Sequence, residues 1–227
     1  MEDGSSTRRV EIVESVARMV PGPSDAGCVR IGVDGVDGAG KSTFAAELAA
    51  ALRATGRPVV HVSADGFLNP RSVRHRRGRR SPMGFWLDSY DYRALAAEVL
   101  APFGPGGSRR YRSAVHDLDS DAPVNGPVHT APPGSVLVVD GLFLHREELE
   151  GAWDLSVFLH VPFDVTARRM ADRDGTHPDP EHSSMSRYVE GQRLYFAARR
   201  PWERADVVVD NSDPARPCIT RSRADSC

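Results

Sequence analysis

Short apolar runs alternate with stretches of helical periodicity along most of this chain, the pattern of a parallel α/β sheet. Val10, Val13, Val16, Ala17 and Val20 recur on one face of a helix over residues 9–20, which Pro21, Gly22 and Pro23 end. Residues 28–34 (CVRIGVD) read as a buried strand, followed by the glycine-rich GVDGAGKST and an Ala/Leu/Glu-rich helix over 43–54. A second strand over 58–63 delivers Asp65 at its carboxyl end, and a helix is predicted over 91–100. Strands over 135–139 (ending in Asp140-Gly141), 155–161 and 205–210, with helices over 164–173 and 186–199, complete the set. The reading is one domain over 1–227: an N-terminal helix and linker (1–27), a core (28–213) and a C-terminal tail (214–227).

Two stretches exceed a minimal α/β unit. Residues 69–81 carry Arg71, Arg74, Arg76, Arg77, Arg79, Arg80 and His75, and residues 102–134 are rich in Gly, Pro and Asp. Both fall between sheet strands, so both are placed to cover the carboxyl edge of the sheet, where α/β proteins take their ligands. The arginine run reads either as a solvated loop or as a phosphate contact. A nucleic-acid surface is disfavoured, since aromatics are not interleaved and the net charge is −2.

Composition adds one oddity. Lysine and arginine total 29, and Lys41 is the single lysine. No apolar run reaches the ~18 residues of a membrane span, and the polar start has no secretory h-region. Cys28, Cys218 and Cys227 are scattered and lack metal-ligand spacing, which reads as free thiols in a reducing cytoplasm.

Lys41 stands in Gly35-Val36-Asp37-Gly38-Ala39-Gly40-Lys41-Ser42, which matches G-x-x-x-x-G-K-[ST], with Thr43 next. Glycines let successive N–H groups turn toward a phosphate, and the following helix adds its unpaired N–H groups and positive dipole end. Lysine supplies a mobile cation for the β- and γ-phosphates, and Ser42 a hydroxyl for Mg²⁺. The competing reading is a plain glycine turn. Asp140, closing an apolar strand, is a metal-side carboxylate or a turn residue before Gly141. Asp65 faces the same sheet edge, where a kinase needs a carboxylate to accept the proton of the attacking hydroxyl; a turn or helix cap is the alternative.

With SADGF, GFWLDSYDY, VVDGLFL, RMADRD and ADVVVDNSD in this order, the chain resembles the uridine kinase and phosphoribulokinase group of P-loop kinases, nearest to bacterial uridine kinase-like proteins, over about residues 29–213. The resemblance implies a three-layer P-loop NTPase sandwich with a parallel central sheet, a lid segment and a substrate-binding insertion. It implies ATP and Mg²⁺ as cofactors, Asp65 as catalytic base and sugar-hydroxyl contact, and Asp140 as the acidic residue after the Walker B strand. Arg168, Arg169 and Arg173 fall in the lid, with Arg169 and Arg173 placed to stabilise the transferring phosphoryl group and Arg168 to meet substrate. Asp88, Asp91, Tyr111, His116 and Asp117 match the nucleoside-recognition elements, and Arg187, Tyr188, Gln192 and Tyr195 the helix after the lid. Asn211-Ser212-Asp213 lies where related kinases wrap the adenine. Against these stand blander roles: Asp91 as an N-cap, Tyr111 as a loop aromatic, His116 as solvated, and Gln192 as packing. Where many uridine kinases place an R-G-R-like element after the lid R-D, this chain reads GTHPDPEH over 175–182. His177 and His182 flank that acidic stretch without metal-ligand spacing, so Mg²⁺ is the metal expected.

The expected activity is transfer from ATP to the primary hydroxyl of a nucleoside-like small molecule, uridine or cytidine first. A kinase of another alcohol (a ribosyl cofactor precursor, a sugar phosphate or a secondary-metabolite nucleoside) is the alternative. A regulatory nucleotide-binding protein is a third reading, although N-K-x-D is excluded by the single lysine. Neither nucleic acid nor membrane is expected as partner. Relatives of this type are often homo-oligomers, but no interface signature is readable.

Overall fold

The computed structural model describes residues 3–22 and 27–222; Pro23 and Cys227 lie outside the described residues. In chain order the elements are α1 (Asp3–Met19), β1 (Val29–Gly35), α2 (Lys41–Ala54), β2 (Val59–Ser63), α3 (Arg71–Arg74), α4 (Pro82–Asp88) and α5 (Tyr92–Leu95). Four two-residue strands follow, β3 (Arg110–Tyr111), β4 (His116–Asp117), β5 (Ala122–Pro123) and β6 (His129–Thr130). The chain then runs through β7 (Val136–Gly141), β8 (Leu155–His160), α6 (Phe163–Asp174), α7 (Ser186–Arg199), α8 (Pro201–Arg204), β9 (Val207–Asp210) and β10 (Cys218–Ser222).

The main sheet has the order β10-β9-β8-β1-β7-β2, parallel except for β10, which runs antiparallel to β9. The parallel strands are near-continuous apolar runs because both faces are covered. On β7, Val136 and Val138 join a cluster with Ile31, Val33, Phe44 and Leu48, while Leu137 and Val139 join one with Phe67, Leu95, Phe103 and Phe143. The period of two thus splits one strand between two cores, making three layers. After β1 the chain crosses to β2 and returns to β7 beside β1, then goes to β8 on the other flank. The switch point, and hence the crevice, lies at the carboxyl end of β1.

Every strand and helix read from periodicity is present, with ends shifted by no more than two residues except in the first helix, which begins six residues early, and in the helix over 91–100. The first helix begins earlier than residue 9, and its stripe is narrower than read. Val13, Val16 and Val20 are buried and Ala17 packs against them, whereas Val10, at the margin of the face, is 51% exposed. The helix over 91–100 is an α-turn capped by the Asp91 carboxylate, which accepts from Ala94 N–H at 2.9 Å, and it continues as a π-turn over Ala96–Leu100. Segment 214–227 is more than a tail, because Cys218–Ser222 adds an edge strand. Cys28 and Cys218 are free, and among the described residues no helix is long and apolar enough to cross a membrane.

Candidate active site

The glycine-rich turn after β1 is held open by backbone conformations that suit glycine. Gly38 and Gly40 have φ of 72° and 84°. A methyl on Gly38 would also meet the Thr166 carbonyl at 2.8 Å. Gly40 caps α2 without a side-chain hydrogen bond, and the first turn of α2 has no acidic residue. The N–H groups of that turn are therefore left to an incoming anion.

Below the loop lies a cleft of ≈ 160 Å³. Asp37, Gly38, Gly40, Lys41, Ser42 and Thr43 line one side, and Asp65, Tyr90, Asp140 and Arg173 face them. Lys41 Nζ donates to the Val36 carbonyl at 2.9 Å, a bond that parks the ammonium inside its own loop. Ser42 Oγ donates to Asp140 Oδ2 at 2.6 Å, and His61 Nε2 lies 2.8 Å from Asp140 Oδ1. Parallel register explains the meeting: Ser63 on β2 and Val33 on β1 both stand level with Asp140. Asp65 projects from the turn after β2 into solvent, and Tyr90 OH donates to its Oδ1 at 2.9 Å. Burial and the Asp65 carboxylate together push the Tyr90 hydroxyl well above its ordinary range, so it stays a donor. Arg173 is bidentate to Asp174 at 2.8 and 2.6 Å, and this partner holds its guanidinium charged. Loss of hydration raises the Asp37 carboxyl; Asp65 adds to the effect, while Lys41 and Arg173 oppose it.

Other expected site residues serve the loop from behind. Gln192 is buried; its Oε1 accepts from Asp37 N–H at 2.7 Å and its Nε2 donates to Tyr188 O. Arg169 donates to the carbonyls of Gly38, Asn211 and Ser212 at 3.2, 2.9 and 2.9 Å, so it braces the loop where a lid cation was expected. Asn211 Nδ2 donates to Ala39 O at 2.7 Å, using the amide that the resemblance placed at adenine. Gly35 and Ala39 shape the turn without lining the cleft. Beneath them Asp34 is buried, its Oδ1 accepting from Gly35 N–H and its Oδ2 from Tyr195 OH at 2.5 Å and His145 N–H at 3.2 Å, with His145 Nδ1 at 2.8 Å.

Several predicted substrate contacts are not brought to the cleft. Asp88 has a fully buried side chain, paired with Arg76 and with Arg77 (2.9 Å), so two members of the arginine run answer one carboxylate. The run is neither a free loop nor a cleft lining: Arg71–Arg74 is helical, and Arg187 on α7 donates to the carbonyls of Arg74, Arg79 and Ser81. Arg168 is exposed and paired with Asp164 at 2.8 Å. Tyr111 packs its ring against Phe103 and His129. His116, expected to be solvated or at substrate, is buried 3.3 Å from Asp121, and Asp117 caps Ser120. The rings of His177 and His182 stack 3.8 Å apart on the segment after α6. Sequence reasoning passed over Tyr90 and His61; the former stood in the quoted D-S-Y-D-Y block, and the latter showed only as a histidine in the apolar strand VVHVS.

With this geometry in place, comparison with known proteins is decisive at the family level. The model of the phosphoribulokinase/uridine kinase family matches residues 30–189, more than half of the chain. The chain belongs to that family. Among solved structures it is similar to a possible uridine kinase from Bacillus stearothermophilus (TM-score 0.68, 21% identity, 88% of this chain and 96% of that one). It is similar also to a protein provisionally named a fructose transport system kinase from Silicibacter sp. TM1040 (TM-score 0.67, 24% identity, 84% and 95%). A third, phosphoribulokinase from Rhodobacter spheroides, aligns at TM-score 0.53 with 14% identity over 85% of this chain and 75% of that one. No curated protein matches the chain. At these identities the structures speak for the fold, and the family for a P-loop kinase.

Proposed function

We propose that the chain transfers the γ-phosphoryl group of ATP to a hydroxyl of a small molecule, with the 5′-hydroxyl of uridine or cytidine as the first acceptor to test. The observation that carries the reading is the placement of Asp65 across one cleft from Lys41 and Ser42, its carboxylate oriented by Tyr90. The uncapped amides of the first turn of α2 and the Lys41 ammonium are donors for phosphate oxygens, and Ser42 with Asp140 is an all-oxygen pair of the kind Mg²⁺ takes. Bound there, the cation would neutralise charge on the transferring group. Lys41 would exchange the Val36 carbonyl for a phosphate oxygen. Asp65 would hold the acceptor hydroxyl and take its proton, and Arg173 would add positive charge from the lid side. Gln192, Arg169 and Asn211 keep the loop in shape rather than touching substrate. An ATP donor and two unpaired cysteines, Cys28 and Cys218, fit work in a reducing cytoplasm.

A second reading has its own observation. Asp88, Tyr111, His116 and Asp117, assigned to nucleoside recognition by resemblance, do not line the cleft, which favours a different alcohol, such as a sugar or sugar phosphate. Incubation with Mg²⁺-ATP and a panel of nucleosides, hexoses including fructose, and ribulose 5-phosphate, read by mass spectrometry, separates the two. A nucleoside monophosphate supports the first reading, another phosphorylated alcohol moves it to the second, and transfer to none refutes both.

A further inference from the structure

Asp140 is withdrawn from water, its side chain 3% exposed, and both of its oxygens are engaged from different elements. Oδ2 accepts from Ser42 Oγ at 2.6 Å, and Oδ1 lies 2.8 Å from His61 Nε2. A carboxylate accepts only, so His61 Nε2 carries the proton and donates. The contact follows from strand register. His61 on β2 stands opposite Val138 on β7, and Asp140 lies two residues further along the same face. An imidazole is long enough to span that diagonal. β2 is the outer strand of the sheet, so the ring reaches in from the edge and stays 24% exposed while it covers the carboxylate.

The consequence is orientational. A carboxylate bonded through one oxygen still turns about its Cβ–Cγ bond, whereas bonds to both oxygens, one from helix α2 and one from strand β2, set the plane. We infer that His61 is a positioning residue for the metal half of the nucleotide site, its Nε2–H holding Oδ1 so that Oδ2 stays on the Ser42 side. This rests on the phosphotransferase reading of the same cleft and adds to it a residue that belongs to none of the motifs. Neutral imidazole suffices, because the bond needs a proton on Nε2 and not a charge. Partners of metal-binding side chains are typically worth ~10–100-fold in metal affinity. A histidine that merely filled space would leave the metal-dependent share of nucleotide affinity unchanged.

Calorimetric titration of the full chain with AMP-PNP, once in Mg²⁺ and once in EDTA, separates these roles without an acceptor. In His61→Leu the gain in affinity on adding Mg²⁺ is expected to shrink by about 10-fold or more, with affinity in EDTA unchanged. His61→Gln, which keeps an N–H donor, is expected to retain most of the gain. His61→Val, suited to a strand, replaces His61→Leu if the latter does not fold. A wild-type gain in the Leu or Val variant overturns the inference, as does an equal loss in Mg²⁺ and EDTA. Absence of AMP-PNP binding by the unaltered chain brings down the phosphotransferase reading itself.

Discussion

Gly141 follows Asp140 at the end of β7, and its lack of a side chain sets the distance between that strand and the turn that carries Asp65. A methyl built on Gly141 stands 2.5 Å from the Ala64 Cβ, and Ala64 is fully buried. Carbon atoms sit best ~3.5–4.0 Å apart, so Gly141→Ala demands roughly 1–1.5 Å of separation from two backbone-bound carbons that no rotamer change can supply. Overpacking of this kind costs about 1–3 kcal/mol. At ~2–4 °C per kcal/mol for a domain of this size, the melting temperature should fall by about 2–12 °C. The added methyl also pushes the Asp65 turn away from Asp140, so phosphoryl transfer should slow beyond the loss of folded protein. The check is a double-mutant cycle by thermal denaturation. Ala64→Gly removes the opposing methyl, and in that background Gly141→Ala should cost far less, with a coupling of about 1–3 kcal/mol. An equal cost in both backgrounds, or no loss in either, would refute the steric argument.

Other outcomes follow from the same geometry. Asp65→Asn should lower kcat by roughly 10²-fold or more while AMP-PNP affinity in calorimetry is kept; a wild-type rate removes Asp65 as the base. The folded state holds the Asp37 proton more tightly than the unfolded chain does, since its carboxyl titrates above the ordinary 3.8. Stability is therefore lost as pH rises from 3.8 through the raised value. Asp37→Asn should accordingly raise the melting temperature relative to the native chain more at pH 7 than at pH 3.5, and equal shifts at both values would contradict the assignment. Tyr195→Phe strips a buried hydroxyl that donates to Asp34 and accepts from His145 N–H at 3.1 Å. Urea denaturation should register a loss of about 1–3 kcal/mol, and a change within error would mean that the network carries no stability.

The parallel sheet and the phosphate loop were legible because their signals are local: apolar runs bounded by glycines, and a fixed spacing around Lys41. Asp91 was readable in part for the same reason, since an N-cap lies three residues from the amide it serves. Asp88 was not. Its arginines stand eleven and twelve residues earlier in a run that looked like one charged loop, and only the approach of α4 shows that Arg76 and Arg77 answer a buried carboxylate. Gln192 and Arg169 were drawn to the right neighbourhood and the wrong side of it, because proximity to a loop in sequence motifs does not say which surface of that loop a side chain meets. β10 escaped notice because CITRS at a sheet edge has little apolar character to announce a strand. His61 needed the parallel register of β2 and β7, a long-range fact with no local trace.

Lys41 is the single lysine of the chain, and its Nζ lies in the glycine loop 2.9 Å from the Val36 carbonyl. Lysine-selective nitrogen labelling would therefore give one side-chain amine resonance, and it would come from this cleft. Among side chains, an amine-acylating reagent finds only this ammonium, and in modifying it would erase the cation that the proposed function assigns to the phosphates. If nucleotide binds as proposed, that single side-chain amine would report it.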